Sequence, residues 1–265
     1  MDAGAIRADL TSRLRAPSEA ATACKVCGGE ATPLGIVDFN RSCEDARGVV
    51  LPRTGVPIQY RQCAVCGLIF TDTFDDWVQA DFEAHVYNEG YAAVDPDYVA
   101  KRPQQMAGAL AGVLAASKAA LDILDYGGGN GRFAEAMVEA GFHCATYDPY
   151  TPRFAGRPAR RFNLITCLET LEHMPDPAAG VGDIVALLEP GGAVVFATLA
   201  QPPGAGLGWW YIGPRNGHVT LFSRAALAAL WGRFGFAVAS FNDHVHMAWR
   251  EAPPAWARHL AVTPA

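Results

Sequence analysis

No stretch of this 265-residue sequence reaches the roughly 18 consecutive apolar residues that a membrane-crossing helix requires, which argues against a membrane partner. The first 21 residues alternate charge with Ala and Leu and lack the apolar block of a secretory signal, so a cytoplasmic chain is expected. A basic excess is also missing. Lys plus Arg number 21 against 27 Asp plus Glu, for a net charge of −6, which disfavours nucleic acid as the main partner. Charged residues make up only 18%, against 51% hydrophobic residues that include 13 Phe, 6 Trp and 8 Tyr. That much apolar material excludes wholesale disorder. There is no internal repeat and no low-complexity tract. At about 150 residues per domain the length suggests just under two domains. In a reducing compartment the seven cysteines read as thiols or metal ligands rather than a disulfide framework.

Composition shifts divide the chain. Residues 1–21 read as an N-terminal arm. Residues 22–72 read as a small β-rich module with five of the seven cysteines and strand-like runs at Thr32–Phe39 and Val56–Gln62. Residues 73–103, aromatic and acidic, read as a linker or lid of short helices. Residues 104–250 alternate strand and helix, and 251–265 form a tail. The expected fold class is α/β: a Rossmann-like, seven-stranded, mostly parallel sheet with both faces covered, preceded by the β-rich module.

Two matched knuckles, Cys24-Lys25-Val26-Cys27-Gly28 and Cys63-Ala64-Val65-Cys66-Gly67, stand in that module. Each places two thiolates on one tight turn, and the glycine lets the chain reverse with N–H groups aimed at the sulfurs. Four soft ligands suit a tetrahedral Zn²⁺ ion and leave no open position for water. Cys24, Cys27, Cys63 and Cys66 are therefore the expected ligands of a structural zinc. Cys43 reads as a buried thiol, and Cys144 and Cys167 as small fillers of core strands.

The most informative stretch is Leu121–Gly131, an apolar strand running into a glycine-rich turn and then a helix. Such a turn brings free N–H groups at a helix start close to a ligand. The spacing is Gly127-x-Gly129-x-Gly131, with Arg132 where a dinucleotide fingerprint needs its last glycine. Asp148 follows 21 residues after Gly127, at the end of the next strand, where a carboxylate can accept the hydroxyls of a ribose. It also suits a plain turn before Pro149.

The run Asp125–Gly131 resembles the first motif of class I S-adenosylmethionine-dependent methyltransferases. Asp148 is similar to their ribose-binding acid, and Phe162–Pro177 to their fourth-strand motif with its Glu-His-x-x-Asp-Pro ending. Leu188-Glu189-Pro190-Gly191-Gly192 resembles the turn before their fifth strand. This resemblance implies S-adenosylmethionine as cofactor. Its contacts would be Asp125, Gly127, Gly128, Gly129, Asn130, Gly131, Asp148, Pro149, Cys167, Leu168 and Glu169. Paired knuckles ahead of such a core resemble the zinc-bearing sugar C-methyltransferases. That implies Tyr91, in the segment Tyr87–Tyr91, as a further cofactor contact and a sugar or nucleotide sugar as acceptor.

Glu169, Glu172 and His173 stand at i, i+3 and i+4 and would share one face of a helix. The segment resembles ubiquinone-pathway O-methyltransferases, in which such a trio can hold a divalent cation; structural hydrogen bonding is the alternative. His218, after a Gly-rich excursion, falls on the side of the sheet where α/β proteins bind ligands. His218 and His173 are the candidate catalytic residues, as proton acceptors. His244 and His246 read as a partly solvated sheet face. Trp209, Trp210 and Tyr211 read as a pocket wall or a buried flap. Arg153, Arg157, Arg160 and Arg161 read as a solvated loop or a site for a phosphate-bearing substrate. The reading is methyl transfer to a small-molecule acceptor. Two alternatives stay open: an NAD-dependent sugar-modifying enzyme, and a non-catalytic protein that docks through its zinc module.

Overall fold

The computed structural model describes residues 10–11, 13–99 and 101–260. They form two compact units. Unit 1 comprises Met1–Pro96, Glu172–Pro177 and Ala200–Ala226; unit 2 comprises Asp97–Leu171, Ala178–Leu199 and Leu227–Ala265.

Unit 1 carries an antiparallel sheet in the order β1-β2-β3-β4-β9. Its strands are β1 (Thr22–Ala23), β2 (Glu30–Asp38), β3 (Pro57–Cys63), β4 (Ile69–Phe70) and β9 (Thr220–Leu221). The register of β2 on β3 slips between Pro33 and Gly35, as expected where a proline has no N–H to donate to the ladder. Arg61 crosses the sheet interior at 2% exposure. Its Nε donates to Asp72 and its Nη1 to the Ala20 carbonyl, so a buried charge is paired and hydrogen-bonded. Phe74, and Phe82 from the short helix α1 (Gln79–His85), each pack edge to face with Trp77.

Unit 2 carries a six-stranded sheet in the order β10-β11-β8-β7-β5-β6. The strands are β5 (Asp122–Tyr126), β6 (His143–Tyr147), β7 (Phe162–Leu168), β8 (Leu188–Ala197), β10 (Ala237–Ser240) and β11 (Val245–Trp249). β6, β5, β7 and β8 run parallel, whereas β11 and β10 are antiparallel additions at one edge. The connecting helices are α2 (Lys101–Leu114), α3 (Arg132–Glu139), α4 (Pro177–Ala186) and α5 (Arg224–Gly232). Ala107 and Leu114 of α2 and Phe133 and Met137 of α3 join Ile123, Leu164 and Val195 of the sheet in one core.

Three expectations need correction. Among the described residues this sheet has six strands, not seven. The interval between β6 and β7 holds Pro152, Gly156 and Pro158 and folds into turns and bends, too short for another strand and helix. Glu169, Glu172 and His173 do not share an α-helical face. Glu169 takes a left-handed φ of 51°, and only Leu171–His173 follows, as one 3₁₀ turn. His246 is not half-solvated but fully buried, stacked on Phe196, with Nδ1 on Ser240 Oγ and Nε2 on the Thr198 carbonyl. The arginine cluster is a solvated loop in large part: Arg157 pairs with Asp183 and Arg160 with Asp122 at the surface.

Candidate functional site

The glycine turn between β5 and α3 is shaped by what lies under it. Asp125, near the end of β5, is 2% exposed. Its Oδ1 accepts the Thr166 hydroxyl at 3.0 Å, and its Oδ2 has no partner among the described residues. A β-carbon on Gly128 would collide with that Oδ2, so only glycine lets the turn cross here. The α3 N-terminus follows with Gly131 as N-cap at φ 80°, and the Asn130 side chain takes the first helical N–H, that of Arg132. Gly127 N–H donates to the Tyr147 carbonyl and Gly129 N–H to Asp148 Oδ2, both at 2.8 Å, which fastens the turn to the end of β6. Asp148 Oδ1 accepts the N–H groups of Tyr150 and Thr151. Three N–H groups thus occupy a carboxylate that has about four acceptor sites.

Burial pushes the Asp125 carboxyl up from 3.8 to about 7, with the Thr166 bond opposing and the Asp148 charge reinforcing. A carboxyl raised in the folded state costs stability as pH rises from about 4 to 7 and carries the full cost above 7, on the order of 4 kcal/mol. Asp125→Asn is therefore expected to raise the melting temperature at pH 8, by a margin that shrinks toward pH 5. A margin independent of pH in thermal denaturation would contradict this.

The other expected contacts in unit 2 divide. Asn130 accepts from Arg132 N–H and donates to the Val99 carbonyl. Pro149 is exposed and Leu168 half-buried. Cys167 is 0% exposed, so its side chain is closed to any ligand. Glu169 holds its left-handed φ while its carboxylate meets His244 Nε2 at 2.6 Å. Such strain in a non-glycine residue at a strand end is a recurring mark of functional sites.

In unit 1 the four knuckle thiols converge. Their Sγ atoms all lie within 4.8 Å of one another, with Cys24–Cys66 at 3.7 Å and Cys27–Cys63 at 3.5 Å. These separations are far too long for disulfides and close to the roughly 3.8 Å edge of a tetrahedron with Zn–S bonds of about 2.3 Å. The two knuckles are built alike. Gly28 and Gly67 take φ of 73° and 72°, and the N–H groups of Val26, Gly29, Val65 and Cys66 approach sulfurs at 3.4 Å. The donor set and its spacing fit zinc.

A second group in unit 1 gathers around the turn Gly213–His218. His218 Nδ1 lies 2.9 Å from the Tyr211 carbonyl, and His173 Nδ1 lies 3.1 Å from the Gly217 carbonyl. A carbonyl oxygen can only accept, which assigns the proton of each ring to Nδ1 and the lone pair to Nε2. Glu172 is fully buried, and its Oε1 accepts the Tyr211 hydroxyl at 2.7 Å. Tyr87 OH reaches His173 Nδ1 at 3.1 Å. Tyr91, expected as a cofactor contact, is buried in unit 1 and donates to the Asn216 carbonyl at 3.2 Å.

Sequence reasoning missed Thr166, Arg215 and Asn216. Arg215 is 7% exposed and donates to the Val86 carbonyl and to Asn88 Oδ1, while burial pulls its pKa down. Asn216 accepts Cys43 N–H and donates to the Val94 carbonyl. A Gly-rich run gives no sign that such long-range ties converge on it.

The methyltransferase domain family matches residues 98–240, more than half of the chain. This protein belongs to that family. The chain is 33% identical over 101 residues to a ubiquinone biosynthesis O-methyltransferase of Aromatoleum aromaticum, covering 29% of this chain and 43% of the relative. It is 32% identical over 124 residues to one of Bordetella avium, covering 38% and 48%. The chain thus spans less than half the length of these curated relatives. Its fold is similar to that of an O-methyltransferase family protein from Burkholderia thailandensis, with a TM-score of 0.50 at 15% identity over 66% of this chain and 63% of that one. The expected enzyme class is met by the family, and the expected α/β architecture by the sheet. Among the described residues of the methyltransferase, no helix is long and apolar enough to cross a membrane.

Proposed function

We propose that the protein transfers the methyl group of S-adenosylmethionine to a small-molecule acceptor. One observation carries this: the buried, unpartnered Asp125 Oδ2 beneath the glycine turn that leads into α3. A buried carboxylate oxygen without a donor is costly, and the ammonium of a methionine moiety supplies one. Asp148 offers its remaining acceptor site to a ribose hydroxyl. Gly127–Gly131 would cradle the cofactor, and Glu169 and Leu168 would border it. The cofactor brings an activated methyl, so the chain's own task is to hold it and align a nucleophile.

His173 and His218 are the catalytic candidates of this reading, as proton acceptors. Cys24, Cys27, Cys63 and Cys66 hold a structural zinc, with no open position for chemistry. The finer acceptor class, a sugar or nucleotide sugar, rests on the knuckle resemblance. A hydroxyl of another small molecule is the second reading, favoured by the O-methyltransferase names of the curated relatives.

The test is calorimetry with S-adenosylhomocysteine, followed by mass spectrometry of products from deoxysugar nucleotides and from catechols. Binding without reducible competition by NAD and a product heavier by one methylene are expected. His218→Ala is expected to lower turnover by about 10²–10⁴ while leaving S-adenosylhomocysteine affinity in place. No binding of S-adenosylhomocysteine would end this reading.

A further inference from the structure

We propose that Lys25, between the two cysteines of the first knuckle, is a positioning residue for His173, so that the knuckle module braces the turn that carries a candidate catalytic histidine. The role rests on the reading of His173 as a proton acceptor. The Lys25 side chain is 13% exposed. An ammonium has three donors, and Lys25 Nζ meets three acceptors. They are the Thr71 and Pro175 carbonyls, each at 3.0 Å, and the Asp75 carboxylate. Nζ also lies 5.5 Å from the centre of the Phe70 ring. A largely buried charge placed in this way is paired, hydrogen-bonded and held in one direction.

The knuckle turn does not need that ammonium to close. Gly28 N–H donates to the Cys24 carbonyl at 3.0 Å, and Cys24 N–H to the Gly29 carbonyl at 2.8 Å. The second knuckle aims its own N–H groups at sulfur and carries Ala64 at the position that matches Lys25. Backbone bonds therefore fix the root of the Lys25 side chain, and its head reaches out of the knuckle to Pro175. Such a rigid root lets a long side chain hold a partner at a set distance.

Pro175 belongs to Glu172–Pro177, the short piece of unit 1 that contains His173. This piece is held through its carbonyls. Val219 N–H donates to the Glu172 carbonyl at 2.9 Å, and Thr220 Oγ1 to the Met174 carbonyl at 2.8 Å. Both donors come from the chain just after His218. Proline has no N–H, so its carbonyl is the one backbone group through which residue 175 can be hydrogen-bonded, and Lys25 takes it. His173 lies two residues before that anchor. Withdrawing the ammonium removes the tie nearest Pro177, while those from residues 219 and 220 remain. His173 is then held from one direction instead of two.

The experiment compares the full zinc-loaded chain with Lys25→Met, Lys25→Gln and Lys25→Arg at one pH. The readouts are nitrogen NMR of labelled histidine side chains, amide hydrogen exchange and metal analysis. The His173 signal is assigned by its loss in His173→Gln. In both neutral variants it is expected to shift, and the amides of residues 172–176 to exchange about ten- to a hundredfold faster, as loss of a hydrogen bond to a charged group implies. The His246 signal and the zinc content are expected to stay those of the parent. Lys25→Arg keeps the charge and the donors and is expected to restore both readouts. Neither readout needs an acceptor molecule, and S-adenosylhomocysteine binding is measured separately, so this role and methyl transfer can fail independently. A His173 signal and an exchange rate unchanged in both neutral variants, or altered as much in Lys25→Arg, overturns the proposal. Loss of zinc in both neutral variants overturns it too, since the ammonium would then serve the knuckle and not the turn.

Discussion

Asp148→Ala is expected to lower affinity for S-adenosylhomocysteine about ten- to a hundredfold, measured by calorimetry. Three N–H groups already occupy the carboxylate, which leaves about one acceptor site for a ribose hydroxyl. A hydrogen bond to a charged group contributes about 1.5–3 kcal/mol, or a factor of about ten to one hundred in affinity. The same change frees the Gly129, Tyr150 and Thr151 N–H groups that the carboxylate now accepts, so the turn itself loosens. Asp148→Asn keeps one acceptor oxygen and should fall between the two. Equal affinity in all three proteins would remove Asp148 from the cofactor site.

Loss of the zinc proposed for the knuckles is expected to have a larger effect, on folding. Structural zinc contributes roughly 10–16 kcal/mol to small zinc domains, comparable to the whole stability of an ordinary domain of about 5–15 kcal/mol. β1, β2, β3 and the knuckles lie within one sheet system in which Cys63 is itself the last residue of β3. Cys66→Ser, or dialysis against a strong chelator, should therefore abolish the calorimetric transition of unit 1 and leave a melting curve for unit 2. Metal analysis run alongside gives the stoichiometry. A zinc-free preparation with an unchanged transition would show that the thiols hold the sheet without an ion.

How far these sites were legible depends on whether their cause was local. The knuckles were, because a CxxC pair followed by glycine is a complete turn with its own geometry, and each pair folds as its spacing implies. The turn after β5 was, because an apolar strand, a glycine run and an amphipathic helix are each short-range signals. The histidines after β8 were not. His246 alternates with apolar residues, which suggested one wet face, but both faces of β11 are covered and its imidazole is fully satisfied indoors. The Glu169–His173 spacing suggested a helix, yet the left-handed φ at Glu169 breaks any helical run before Leu171. The seventh strand was expected from family likeness alone, against the proline- and glycine-rich interval that the sequence itself displays. Each of Glu172, His173 and His218 stood out in the sequence, but their meeting did not, since 45 residues separate the two histidines.

The strand β9 has a consequence for engineering. A two-residue strand at Thr220–Leu221 completes the sheet begun at Thr22, pairing with Ile69–Phe70. The N-terminal module is thus no bead on a string. An excised 1–96 fragment would expose the flank of β4, an invitation to self-association, and grafting it onto another enzyme would need the 200–226 excursion carried along. During synthesis the module's sheet stays incomplete until the ribosome has delivered most of the chain, so nascent molecules paused before that point are the ones that need chaperone cover.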